Sequence, residues 1–208
     1  MSTIKTTNVT HGSNSGTANI VLSSAGNLEA RKINGCQRII LEQFFSPCDG
    51  SVIAASAGNI TMPNVTAKQD GTTSFADLTG SSITYTPPSG ATQVIYEIHY
   101  YTGSTDDKGI HYQKLLLDSD EVTKARITHT NSTWQDSGRV VFKWGFNIGG
   151  SADTTVGRVA SWSSSKTIKL QVREHDSNKE QAFHEADYWD GSASDTLMIP
   201  CIGITAIG

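Results

Sequence analysis

Gln93–Tyr101 reads QVIYEIHYY. In an extended chain Val94, Tyr96, Ile98 and Tyr100 fall on one face and Ile95, Glu97, His99 and Tyr101 on the other. That is the period-two pattern of a strand with one face in a core. Pro87-Pro88-Ser89-Gly90 marks a turn ahead of it, and Ser81–Thr86 before that turn alternates Ile83 and Tyr85 against threonines. The same template recurs downstream. Ile110–Leu117 and Lys124–Thr130 flank the acidic turn Asp118–Glu121, and Arg139–Asn147 sets Val140, Phe142, Trp144 and Phe146 on one face. Thr167–Arg173 places Ile168, Leu170 and Val172 inward with Lys169, Gln171 and Arg173 outward. Gln37–Phe45 opens the series. Asn59–Lys68 is a further strand interrupted by Pro63, which suits an edge or a bulge, and Thr196–Ile207 ends the series as one apolar run. About eight strands at even spacing, with turn signals between, predict an all-β fold: an antiparallel β-sandwich of jelly-roll type.

Ahead of the sandwich lie three much shorter apolar segments, Ile4–Val9, Ala18–Leu22 and Leu28–Ile33, separated by Gly- and Ser-rich turns. None carries enough apolar surface for a core of its own, and short strands with open edges need a partner. The composition shifts near Gly35. The expected organisation is therefore an extended N-terminal assembly or anchoring β-arm over residues 1–35 and a head domain over 36–208. Ile4, Val9, Ile20, Leu22 and Leu28 are the arm's apolar contacts.

Composition supports the β reading and removes several functions. Ser and Thr make up roughly a quarter of the 208 residues beside 19 Gly, residues that favour strands and turns over helices. The net charge of −4 with scattered basic residues argues against nucleic-acid binding. No window has the length and apolarity of a membrane-spanning helix, so no membrane insertion is expected. The N-terminus lacks a basic-then-apolar secretory run. The expectation is synthesis in a cytoplasm, with any outside location reached by assembly or lysis. Cys36, Cys48 and Cys201 form an odd set with no CxxC spacing and read as buried thiols. A Cys36–Cys48 bridge across a hairpin is left open. Four sequons, at Asn8, Asn59, Asn64 and Asn131, are chance matches in so Asn-, Ser- and Thr-rich a chain.

Candidate chemistry concentrates in Arg173–Asp190, REHDSNKEQAFHEADYWD. His175, His184, Glu185, Asp187 and Asp190 are metal-ligand or acid–base types, yet the spacing matches no zinc pattern, and the stretch reads as a solvated loop. Asp118, Asp120 and Glu121 lack the length and glycine of an EF-hand and read as a hairpin tip. GxSxG, GxGxxG and P-loop patterns are absent, so no catalytic residue, cofactor or metal is assigned. A glycosidase needs only two carboxylates, for which Glu180, Glu185, Asp187 and Asp190 are the available types; the main reading is a non-enzyme. The aromatics divide. Tyr96, Phe142 and Trp144 alternate within strands as core. Trp134, Trp162 and the Tyr188-Trp189-Asp190 loop sit in polar turns, where rings beside Asp, Asn and Gln form candidate glycan contacts.

The opening MSTIKTTNV…SGTANIVLSSAGN resembles the N-terminal segment of structural and fibre-like proteins of marine tailed phages, particularly those of cyanobacteria. TTSFADLTGSSITYTPPSGATQVIYEIHY is similar to a second theme of that group, and TIKLQVREHDSNKEQAFHEADYWDG…PCIGITAIG to its closing strands. Residues 104–160 match nothing specific. The resemblance implies a virion structural protein: a short tail- or head-fibre, spike or adaptor subunit. It would be homotrimeric, bound to other virion proteins through residues 1–35, and suited to host-surface attachment. A long fibre would need a shaft that this chain lacks. A carbohydrate-binding module for host polysaccharide and a capsid decoration (cement) protein are the alternatives.

Overall fold

The computed structural model describes residues 8–9, 20–22, 28–30, 38–103, 109–130, 138–177, 181–187 and 195–208. Among them the regular structure is strand, with single 3-10 turns at Thr123–Ala125 and Thr154–Val156. The chain divides into two units, Met1–Ile39 and Ile40–Gly208. In the first, Asn8–Val9, Ile20–Leu22 and Leu28–Ala30 pair in series as an antiparallel sheet, with Val9 opposite Ile20 and Leu22 opposite Leu28. Ile4 and Cys36 lie outside the described residues.

The second unit is built on eight principal strands: β1 Ile40–Pro47, β2 Ile83–Tyr85, β3 Gln93–Gly103, β4 Ile110–Leu117, β5 Ile127–Thr130, β6 Gly138–Asn147, β7 Lys166–Glu174 and β8 Cys201–Ile207. Their pairing is nested. β1 pairs with β8, β2 with β7, β3 with β6 and β4 with β5, every pair antiparallel. β8 also joins β3, and β7 also joins β4. The result is two six-stranded sheets whose principal strands run β1–β8–β3–β6 and β2–β7–β4–β5, each completed by two short strands. This is a long hairpin wrapped over itself, the jelly roll that the strand count anticipated.

Period two explains the layering. Along β3 the even-numbered residues Val94 to Thr102 are buried and the odd ones half-buried. The register sets Ile98 beside Phe142 on one side and Ile202 on the other, and Tyr96 beside Trp144 and Ile204. In the facing sheet Leu115 pairs with Leu170, and Ile168 with both Leu117 and Ile83. Full burial of each such side chain stabilises the fold by roughly 1.5–3 kcal/mol before entropy is counted. Polar tips in this layer find partners, as buried Tyr and Trp require: Tyr96 Oη donates to the Ser81 carbonyl at 2.7 Å and Tyr85 Oη to Glu42 at 2.9 Å.

Four expectations need correction. Trp162 is 5% exposed, packs edge-on to Phe146 at 5.9 Å and donates Nε1–H to the Tyr85 carbonyl, so its ring has no free face for a sugar. The strand read at Asn59–Lys68 is instead Gly58–Thr61, paired in a hairpin with Val52–Ala55 and ended before Pro63. The closing apolar run is two strands. Asp195–Leu197 pairs with Glu185–Asp187, and Pro200, which has no N–H to donate, separates it from β8. Finally, Gln181–Ala186 is buried rather than solvated. Ala182–Phe183 adds to β3 at Thr102–Gly103 beyond the end of β8, and Gln69–Asp70 pairs with it from the far side.

Cys48 is a buried free thiol that donates to the Gly80 carbonyl at 3.2 Å, and burial pushes its pKa up to about 12, helped by Cys201 and Asp49. Cys201 is free and half-buried.

Candidate functional site

Antiparallel nesting sends the connections after β1, β3, β5 and β7 out of the same end of the sandwich, here the upper end. Trp134 belongs to the β5–β6 connection and Tyr188, Trp189 and Asp190 to the β7–β8 connection. All four lie outside the described residues. The residues that flank them do not: Gly138 pairs with Thr102, Thr102 with Phe183, and Thr130 with Ile110. Of the acid–base types read from sequence, Glu185 is buried and ion-paired with Lys68 Nζ at 3.2 Å. His184 is buried, and His175 is exposed and accepts or donates at 2.8 Å to Tyr112 Oη. Among the described residues no three His, Cys, Asp or Glu side chains are placed to hold a metal.

Under the upper end the core turns polar. Thr102, His111, Gln113, Glu174, Gln181, His184 and Glu185 are all buried. Tyr100 gives its hydroxyl proton to Gln113 Oε1 at 2.5 Å, and His111 Nδ1 lies 3.2 Å from Gln181 Oε1. His111 also stacks on His129 at 4.5 Å. His184 holds a left-handed φ of 65°, which His tolerates better than most residues. That kink turns the chain from pairing with β3 to pairing with Asp195–Leu197. It is held by His184 N–H to the Tyr101 carbonyl and Met198 N–H to the His184 carbonyl, both 2.8 Å. The Thr79 carbonyl, 2.8 Å from Nε2, can only accept, so Nε2 carries the proton and Nδ1 is the bare, unpartnered nitrogen. Burial depresses the pKa of His111 to about 3, aided by His129, and that of His184 to about 4; His129 is lowered by burial as well.

Gly71 closes this region beside Gln181 and Glu174. Its N–H donates to the Gln181 carbonyl at 2.6 Å, and a Cβ there would stand 2.7 Å from that oxygen and 2.9 Å from Glu174 Oε2. Only glycine permits the approach. A cleft of about 380 Å³ opens beside it, bounded by Lys68, Asp70, Glu174 and Gln181.

A second groove, about 280 Å³, runs on the outer face of the β2–β7–β4–β5 sheet and is bounded by Phe75, Tyr112, Arg126, Ile127, Thr128 and Arg173. The register explains it. Tyr112 lies between Thr128 on β5 and Arg173 on β7, and Ala76 pairs with Val172, which brings Phe75 alongside. The Arg173 guanidinium sits 4.4 Å over the Tyr112 ring and 5.5 Å from that of Phe75, while Lys114 Nζ is 4.4 Å from Phe75. Phe75 remains 39% exposed. Aromatic rings beside polar and cationic groups on a rigid strand surface can stack a sugar ring and hold its substituents. The outward parity of Tyr112 and Arg173 is readable from the strand pattern. Phe75 carries no sequence signal, because its place depends on pairing with a strand almost a hundred residues away.

The outer face of the other sheet is built differently. Phe45, 48% exposed, lies over Gly203, where a Cβ would stand 2.5 Å from the ring, and meets His99 edge-on at 4.9 Å. Val141, paired with His99, is 57% exposed. Lys143 and His99 both bind Glu97, at 2.9 and 2.7 Å.

No family model and no curated protein matches this sequence. Among solved structures the chain is similar to the CBM36-1 domain of a multidomain xylanase from the hindgut metagenome of Trinervitermes trinervoides. The identity is 10%, over 78% of this chain and 96% of that one, with a TM-score of 0.32. A likeness of that size is no guide to what this chain binds.

Proposed function

We propose that this chain is a virion structural protein of a tailed phage, a short spike, fibre or adaptor subunit that assembles through its N-terminal arm and presents its jelly roll outward. The observation that carries the reading is the division of the chain. One unit offers strands of two, three and three residues that pair with one another, too little for independent stability in water. The other unit closes its own sheets by pairing its first strand with its last. Such an arm gains stability by adding strands to sister subunits or to neighbouring virion proteins, and three-fold association of the heads is the arrangement proposed with it. Light scattering on the full chain and on a chain lacking residues 1–35 tests this. Association lost on truncation supports it; a monomer in both forms at micromolar concentration overturns it.

The groove over Tyr112, Phe75 and Arg173 favours a second role for the head, recognition of host-surface polysaccharide. Saturable glycan binding abolished by Phe75→Ala supports that site. Binding abolished instead by Trp189→Ala moves the site to the β7–β8 connection. Position in a cryo-electron microscopy map of the particle separates a spike or adaptor from a capsid decoration protein.

A further inference from the structure

The charges around the outer groove do not balance. Four cations lie on or beside this sheet face: Arg126, Lys169, Lys114 and Arg173. Arg126 is paired with Glu121, and Lys169 binds Asp77 at 2.7 Å. Lys114 stands over Phe75 and is felt electrostatically by Glu121. Arg173 is in no ion pair among the described residues. Its contacts are the Tyr112 and Phe75 rings and one hydrogen bond from Nη1 to the Glu174 carbonyl at 3.2 Å. A guanidinium has five N–H donors, so most of its fork is unused. The surface therefore offers a cation stacked on a phenol ring, a second cation over an adjacent phenyl ring, and a groove between, on a chain whose net charge is −4.

Resting on the reading of this groove as a glycan site, we infer that its ligand is an acidic polysaccharide carrying uronic-acid carboxylates, with Arg173 as the residue that selects the charge. A carboxylate is planar and accepts two parallel N–H bonds from a guanidinium. Contact with the Tyr112 ring, 4.4 Å away, positions that guanidinium at the groove. A carboxylate attached directly to a pyranose carbon can meet the fork while the sugar ring lies along Phe75. A protein partner with an acidic tail would find the same cation but would gain less from the exposed phenyl ring, so a polysaccharide uses more of what the groove displays.

The test uses the full chain and four polymers of matched length: polygalacturonate, its methyl ester, neutral galactan and dextran sulfate. Calorimetry or biosensor binding is measured at low and at raised salt. The expected result is saturable binding of polygalacturonate that weakens as salt screens it. Binding should fall roughly tenfold or more in Arg173→Gln, less in Lys114→Gln, and be only partly kept in Arg173→Lys, which retains charge without the fork. Methyl esterification should remove most of it. Equal binding of the methyl ester or of galactan, sensitive to Phe75→Ala but not to Arg173→Gln, overturns the acidic class while leaving the glycan site standing. Tighter binding of dextran sulfate overturns the carboxylate assignment. Failure of all four polymers removes the glycan reading with it. If Arg173→Gln alters the far-ultraviolet circular dichroism spectrum, the pair Phe75→Ala and Lys114→Gln carries the test.

Discussion

Two halves of one interior follow different rules here. In the lower half, inward positions of β3, β4 and β7 are Tyr96, Ile98, Leu115, Leu117, Ile168 and Leu170. A few residues further along the same strands they are Thr102, His111, Gln113 and Glu174. Backbone pairing is unbroken between the halves, with Leu115 opposite Leu170 and His111 opposite Glu174 in one ladder. The apolar half excludes water and is held chiefly by burial and close packing, with few directional bonds such as that of Tyr96 Oη to the Ser81 carbonyl. The polar half gains less from burial, but its hydrogen bonds are directional. They fasten Gly71, Thr79, Gln181 and His184 to the strand ends, and so determine how the upper connections start. The difference teaches that the lower half supplies stability and the upper half supplies position.

That contrast can be broken most forcefully in the lower half. Leu170→Ala leaves a cavity between the sheets and should destabilise the protein by about 2–5 kcal/mol in a urea titration; a loss below about 1 kcal/mol would mean that this half is not the stabilising one. A pH titration acts on the upper half. His111, His129 and His184 have folded pKa values depressed below 6.5, so the unfolded chain takes up protons first as acid is added. The contribution of His111 and His184 is whole above about pH 6.5 and is lost as pH falls toward their folded values of about 3 and 4, at about 1.4 kcal/mol per pH unit for each ring that stays neutral. Glu97 and Glu121 are held below the usual carboxylate range by Lys143 and Arg126, so their contribution is lost only in more acid solution. Stability that is flat from pH 7 to 5 would show that His111 and His184 are not buried neutral.

Gly71→Ala probes how closely the chain at Gly71 must approach Gln181 and Glu174. Its methyl group would meet the Gln181 carbonyl and Glu174, and a loss of about 1–3 kcal/mol is expected, with faster amide exchange at Gly71 than in the parent. The smallest effect has the opposite sign. Thr102 Oγ1 is buried without a partner, so Thr102→Val keeps the shape and removes an unsatisfied hydroxyl. A gain of about 1 kcal/mol in thermal unfolding is expected; a loss would show that the hydroxyl does find a partner in solution.

How much of this was legible varies by residue. Val94–Tyr100, Phe142–Phe146 and Ile168–Val172 announce their inward faces because a strand has period two and one side of it is dry. Trp162 gave no such signal: in ASWSSS it looks like a turn aromatic, and only the approach of Phe146 and the Tyr85 carbonyl makes it core. His184 and Glu185 look like loop residues by type, since charged and imidazole groups are usually solvated. They are buried because Thr79 and Lys68, more than a hundred residues earlier, supply their partners.

Local chemistry alone determined that this protein is a chain of short strands with three shorter apolar segments ahead of the longer ones and no recognisable catalytic motif, because alternation, turn residues and composition act over a few neighbours. The tertiary structure decided which strands nest together, which polar groups are buried at the upper end, and that Phe75, Tyr112 and Arg173 share one groove. Those outcomes depend on pairing registers between distant segments, and a register is set by the whole sandwich closing at once rather than by any single strand.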